Sequence, residues 1–487
     1  MKKAVAVFFL LLVGFVLALG YARANPGAFD PTWGEEGIVL TDFDGMDDTG
    51  NTQVLMPDGK LVAAGWVNVY PGDFGVVRYL QDGNPDPSFG DGGRVVTAFS
   101  DDPELVDAAW GINARPNGGV HVFGETCDAD YVVCQFAMAA YLADGSLDES
   151  FGDGGLVTTS IPDAATALSW PTRNILQADG KVVAGGLILY ENNDTDIVLL
   201  RYNSDGSLDE TFGNGGISII DFGEKVQFPQ DIVALPGDKI LIVGGVADEF
   251  EFVYFSEEAF MARINSDGSV DTGFGGGDGY LPWKLDGGPL GFDRALVTSA
   301  SEMFIVGGNE TDCTLQRFDL DGTADTTFGD NGWVIIDSGQ FDLCLDAVMT
   351  VDGRIALVGV PGMPAESDSR TAILGRNYNP AAARGAGSAE SSPATRQEED
   401  FDHIVGLYNA DGTPVTTFGD DGLVRFTIND GAGSYSNIAA QQDGKLLVVG
   451  DALEGEQLDM SIVRFLGDGP AAQVFMPVVQ GGTATGE

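Results

Sequence analysis

The chain has 487 residues, 69 of them glycine, and carries 24 basic against 74 acidic side chains for a net charge of −50. A surface of that sign repels phosphate backbones and anionic lipid, which sets nucleic-acid and membrane-surface binding aside and favours solubility and cations. Four cysteines with no CxxC among them, and only two histidines, His121 and His403, speak against a zinc site.

At the N-terminus, Lys2 and Lys3 precede an apolar run from Ala4 to Leu19, and Ala22-Arg23-Ala24 supplies the small-x-small pattern a signal peptidase reads. The run is shorter than the roughly 20 residues a spanning helix needs. Residues 1–24 are therefore expected to be a cleaved export signal rather than an uncleaved anchor, and no cysteine follows to carry a lipid. Cleavage removes Lys2, Lys3 and Arg23 and no acid, taking the net charge from −50 to −53. No membrane insertion is expected, and the protein is placed outside the cell, on its surface or in a periplasm.

The exported chain opens on FDPTWGEEG (Phe29 to Gly37), half of a motif that then recurs whole. The copies are DGNPDPSFGDGG (Asp82 to Gly93), DGSLDESFGDGG (Asp144 to Gly155), DGSLDETFGNGG (Asp205 to Gly216), DGSVDTGFGGGDG (Asp267 to Gly279), DGTADTTFGDNG (Asp321 to Gly332) and DGTPVTTFGDDG (Asp411 to Gly422). Their aromatic-glycine landmarks, Trp33, Phe89, Phe151, Phe212, Phe274, Phe328 and Phe418, are 56, 62, 61, 62, 54 and 90 residues apart. Each interval reads as four short strands, with a tight hairpin of the PDGK type (Pro57 to Lys60) between the second and third. The third strand is almost wholly apolar, as in KILIVGG, which suits a strand covered on both faces.

Four strands repeated at this pitch predict an all-β fold, a seven-bladed β-propeller of four-stranded antiparallel blades. The last strand, SIVRFLGDG (Ser461 to Gly469), ends in the first half of a linker whose second half opens the chain, so a seventh linker is complete only if the termini meet. The repeat units are about 29–93, 94–155, 156–216, 217–277, 278–332, 333–422 and 423–469, and a monomer is expected.

The pattern QADGKVVAGG…LLRYNSDGSLDETFGNGG, as it stands at Gln177 to Gly216, resembles the bacterial delta-60 repeat. That resemblance covers nearly the whole exported chain and implies a propeller-like exported protein with no catalytic residues to carry over. Ser301 and Glu302 depart from it where the fifth hairpin wants Asp-Gly, and the sixth unit departs by an insertion.

Three repeated features read as scaffold. A glycine closes the apolar strand in every unit (Gly65, Gly124, Gly186, Gly244, Gly307, Gly359, Gly450), permitting a bulge or a close backbone approach, and the linker Phe is expected to plug between blades. Arg78, Arg201, Arg263, Arg317 and Arg464 end the fourth strand, and the linkers carry Asp30, Asp86, Asp148, Asp209, Asp271 and Asp325. The sixth unit loses both charges together, as Leu407 and Val415, which points to structural ion pairs such as Arg201 with Asp209 and Arg317 with Asp325. The run D-x-D-G-x-x-D at Asp319 to Asp325 invites a calcium reading, but its spacing is not that of an EF-hand loop and a turn explains the same letters.

The irregular loops all fall on the opposite face, where binding is expected, and they are rich in acids and aromatics. They include Asp44, Asp47 and Asp48; Trp66, Tyr70 and Asp73; Tyr190 and Asp194; and DEFEFVYFSEE (Asp248 to Glu258) with Phe250, Phe252 and Tyr254. The last segment reads equally as two half-buried strands alternating acid and aromatic. Residues 361–401 break the pitch, with 380–400 expected to be disordered, and 470–487 form a C-terminal tail. Disulfides are expected between Cys127 and Cys134 and between Cys313 and Cys344, worth about 2.5 and about 3.7 kcal/mol on loop length.

The leading functional expectation is an exported, non-enzymatic binding scaffold whose acidic, aromatic-bearing face meets a cation such as calcium, a glycan or a protein. A hydrolase or lyase with carboxylates at the mouth of the central channel is the alternative, and a structural surface protein the third. The fold alone does not arbitrate.

Overall fold

The computed structural model describes residues 25–468 apart from 68–71, 101, 103–104, 129–132, 162–165, 169–172, 191–194, 224–225, 248–257, 284–290, 299–301, 309–311, 338–341, 362–402, 429–432 and 456. The expected export signal, nearly all of the insertion and the tail lie outside the described residues. Those described form seven antiparallel sheets and no helix, hence no helix long and apolar enough to cross a membrane.

From the axis outward, blade 1 is Thr49–Leu55, Leu61–Val67, Asp73–Tyr79 and Arg94–Thr97. Blades 2 to 6 repeat that order. Their innermost strands are Val106–Ala114, a strand in two pieces at Thr166–Leu168 and Ile175–Leu176, Val226–Leu235, Gly291–Val297 and Asp342–Met349. Blade 7 is Gly433–Ala440, Leu446–Glu454 and Gln457–Phe465, completed on its outer edge by Ile38–Thr41.

Repeat and blade are thus offset by one strand. The strand after each linker pairs with the strand before it, as Arg94 does opposite Val77. The first such strand, Ile38–Thr41, therefore pairs with the far end of the chain, Ile38 opposite Val463. Phe29 bridges Phe465, and the Gly27 N–H donates to the Leu466 carbonyl at 2.8 Å. The ring closes with these two segments side by side.

Instead of one central core there are seven apolar layers, one at each blade junction. Each takes one linker aromatic, Trp33, Phe89, Phe151, Phe212, Phe274, Phe328 or Phe418, all at most 1% exposed. Full burial of such a ring stabilises by about 1.5–3 kcal/mol. The second-strand glycine lets the innermost strand approach. A Cβ on Gly65, Gly124, Gly244, Gly307, Gly359 or Gly450 would lie 1.9–2.2 Å from an innermost-strand carbonyl oxygen. Beside each of these glycines the innermost strand bulges, for example between Gly50 and Thr52 or between Cys344 and Asp346.

On the linker face, Arg78, Arg201, Arg263, Arg317 and Arg464 lie 2.5–2.8 Å from Asp86, Asp209, Asp271, Asp325 and Asp30. Each guanidinium also sits 4.5–5.1 Å above its linker aromatic. Each reaches a backbone carbonyl in the next linker, those of Ala143, Ser266, Leu320, Ala410 and Gln81. One side chain thereby joins strand, linker and neighbouring blade. Lys60, Lys181, Lys239 and Lys445 add a second cation to four of these aspartates at 2.6–3.1 Å.

Candidate functional site on the loop face

Register, not sequence proximity, assembles the acids of the opposite face. Asp73, Asp196, Glu258, Asp312 and Asp459 all stand two residues before the third-strand partner of the second-strand glycine. Among the described side chains, this acid meets another at the start of the next blade's innermost strand at two junctions. Asp459 meets Asp48, and Asp73 meets Asp107.

The two junctions are built alike. Asp48 Oδ2 accepts the Phe43 N–H at 2.6 Å and Asp107 Oδ2 accepts the Phe99 N–H at 2.7 Å. The backbone N–H groups of Asp48 and Asp107 donate to Leu458 and Gly72, each at 2.7 Å. Asp48, Asp107 and Asp459 are buried and Asp73 half-buried. Burial, with Asp73 nearby, pushes the Asp107 carboxyl up to about 6. Burial, then Glu454, Asp42 and Asp48, push Asp459 up to about 7. Burial also raises Asp73.

Of the aromatics expected here, Trp66 is a correction. It lies inside the second strand of blade 1, 3% exposed, packed on Val106, Ala108 and Trp110. Gly72 presses so close that a Cβ there would fall 1.8 Å from the indole nitrogen. Its bulk serves the blade 1–2 contact, not the surface. Tyr190 is half-buried and donates its hydroxyl to Asp196 at 2.7 Å. Tyr70, Asp194, Phe250, Phe252 and Tyr254 lie outside the described residues.

The two disulfides join Cys127 to Cys134 and Cys313 to Cys344. Glu125, Cys127 and Cys134 come together, but both sulfurs are in the disulfide and cannot ligate a metal. Disulfide bonding suits an oxidising, exported setting. Of the histidines, His121 is buried and pushed down to about 4 by burial, while His403 Nε2 accepts the Tyr435 N–H at 3.1 Å. In the Asp319 to Asp325 run, Thr327 and Arg317 engage both oxygens of Asp325, as the turn reading requires.

Near the axis the innermost strands carry a charged cluster from consecutive blades, Arg173, Asp231, Arg294, Asp346 and Asn437. Asp346 is fully buried and accepts from Arg294 at 2.8 Å, Asn437 at 2.7 Å, the Ile438 N–H at 2.9 Å, and Arg173 across the ring from blade 3. Asp231 accepts the Ala295 N–H at 3.1 Å, and Arg294 donates to the Gln230 carbonyl at 3.0 Å. Innermost strands are edge strands whose outward backbone groups need partners, and these side chains supply some of them.

Sequence reasoning missed Asp42, Asp107 and Asp459 and the axial cluster. A signal for the first-strand-facing acids existed: an acid precedes the strand arginine by five residues at Asp73, Asp196, Glu258, Asp312 and Asp459.

Segments 57–89, 177–212, 253–274 and 441–469 match the family model described as a domain of unknown function (DUF5122) beta-propeller. Comparison with curated proteins returned no match. Among solved structures, a polysaccharide lyase of family PL25, an ulvan lyase, is similar at 11% identity and TM-score 0.44, over 89% of this chain and 97% of that one. A catalytically inactive virginiamycin B lyase from Staphylococcus aureus is similar at 11% identity and TM-score 0.38, over 74% and 84%. A puromycin-hydrolyzing peptidase of Mycobacterium tuberculosis matches at 13% and 0.45 over 91% of this chain, which spans about 55% of that enzyme. The chain is a β-propeller repeat protein.

Proposed function

We propose that the protein is an exported, non-enzymatic binding scaffold whose loop face receives a positively charged partner. One observation carries this reading. A single register position places an acid on the loop face of five blades, while the arginines and lysines of the repeat are committed to linker pairs on the other face. Both faces carry acids, but on the linker face the repeated aspartates are paired with the cations of the repeat, and an acidic face concentrates cations by field as well as by contact.

Binding of a fluorescent oligolysine at physiological salt tests it. Neutralising Asp73→Asn, Glu258→Gln and Asp312→Asn together is expected to weaken binding several-fold. Neutralising the exposed turn acids Asp82→Asn, Asp144→Asn and Asp205→Asn removes the same charge from the linker face and is expected to change it little. Equal losses would reject the face assignment.

The enzymatic alternative draws on Asp107 and Asp459, whose raised carboxyls suit general acids. It asks for turnover of an anionic glycan or peptide that Asp107→Asn abolishes.

A further inference from the structure

We infer that the axial channel holds a cation site at Asp231 that takes a guanidinium group, from a small molecule or from an incoming arginine side chain. Asp231 is fully buried on the innermost strand of blade 4, and its Oδ1 has no hydrogen-bond partner among the described residues. Burial raises its carboxyl although Arg173 and Arg294 act on it as nearby positive charges. A buried carboxylate oxygen without a donor is costly, which favours a ligand that brings both N–H groups and positive charge.

Asp346 shows what Asp231 lacks. Asp231, Arg294 and Asp346 stand opposite Val243, Val306 and Val358, each just before the glycine of its second strand, so the three share one level of the channel. Extending the ladder in which Ile175 faces Val183 puts Arg173 at that level in blade 3. The two aspartates are used alike on one side, where Oδ2 accepts the Ala295 N–H at 3.1 Å in Asp231 and the Ile438 N–H at 2.9 Å in Asp346. They differ on the other. Asp346 Oδ1 accepts Nε of Arg294, from the blade before it, at 2.8 Å. Arg173 holds the matching place before Asp231 yet crosses the axis, donating to Asp346 Oδ1 and the Ala347 carbonyl. Two guanidiniums therefore serve one aspartate, and the equivalent oxygen of the other has none.

The arrangement selects the ligand. One free carboxylate oxygen beside two arginines does not supply the about 6–8 oxygens of a calcium site. A planar guanidinium fits it, as Arg294 does on Asp346. The Arg173 side chain is 34% exposed, so solvent reaches this level of the channel. This inference does not rest on the loop-face reading, whose test changes no residue of the axis.

Isothermal titration with ethylguanidinium chloride at physiological salt tests it, beside a peptide carrying one arginine; whichever binds tighter identifies the source as a small molecule or a protein side chain. Saturable binding of one probe per chain is expected. Ethylurea, which has the shape without the charge, should bind at least tenfold more weakly. Asp231→Asn keeps an oxygen for the Ala295 N–H and should weaken binding tenfold or more while remaining folded by thermal denaturation. Arg173→Ala removes the nearest competing charge and should tighten binding several-fold, and the loop-face Asp73→Asn should leave it unchanged. The site is overturned by no saturable binding to the parent at tens of millimolar probe, or by binding that folded Asp231→Asn retains. Binding seen only in Arg173→Ala would overturn it too, since Arg173 itself would then serve Asp231.

Discussion

Arg115 donates to Asp148 at 2.6 Å in the one blade whose third strand carries alanine, Ala140, where five others carry arginine. The guanidinium arrives from the innermost strand's hairpin instead, and it also reaches the Tyr141 carbonyl. The linker aspartate keeps its cation although the repeat has lost it.

Arg115→Ala should therefore destabilise as an arginine of the repeat does, by about 2–4 kcal/mol, because Asp148 is left buried and unpaired. Adding Ala140→Arg should restore part of the loss by rebuilding the pair from the usual strand. Urea denaturation of the parent, single and double variants measures both, and no recovery would mean the two positions are not interchangeable.

Blade 6 shows the opposite solution, with Leu407 and Val415 both buried where the pair would be. Copying it as Arg201→Leu with Asp209→Val should cost less than the summed single changes, since each single change strands a charge. Additive costs would show that the residues are uncoupled.

Phe212 is fully buried in the blade 3–4 layer beneath Arg201, 4.5 Å from its ring centroid. Phe212→Ala should cost about 3–5 kcal/mol. A loss under about 1 kcal/mol would mean that the junction collapses to fill the space.

Stability should fall on both sides of mildly acidic pH. Asp271 is held down to about 2, chiefly by Lys239 and Arg263, and Asp325 to about 2, chiefly by Thr327 and Arg317. Their stabilisation is complete above about pH 4 and is lost as pH falls toward 2. Asp107 and Asp459, held up at about 6 and about 7 by burial, remain protonated in the fold where the unfolded chain ionises. Their contribution is greatest below about pH 4 and declines as pH rises through these values. Denaturation midpoints from pH 3 to 8 should peak near pH 4–5, and Asp459→Asn should flatten the neutral side. A parent curve still rising from pH 5 to 8 would contradict the assignment.

The propeller, its seven units and the closure of its ends were legible because each depends on local chemistry repeated in register. Each linker needs the same turn glycines, and its aromatic fills the same gap between blades. The half-linkers at Phe29 and Gly469 have no other way to become whole. The cysteine pairs were legible because their number and spacing leave few choices.

What the tertiary structure decided depends on neighbours far apart in the chain. Asp42 and Asp459 meet only because the first strand completes the last blade, and Arg173 meets Asp346 only across the ring's axis. Nothing in the spacing of Arg173 and Asp346 encodes their contact. Trp66 looked like a loop aromatic because it ends an apolar strand beside acids, and only the packing of Val106 and Trp110 onto it shows it buried. A repeated sequence specifies what every junction shares, whereas the axial cluster arises where unlike blades face each other, a relation set by closure of the ring.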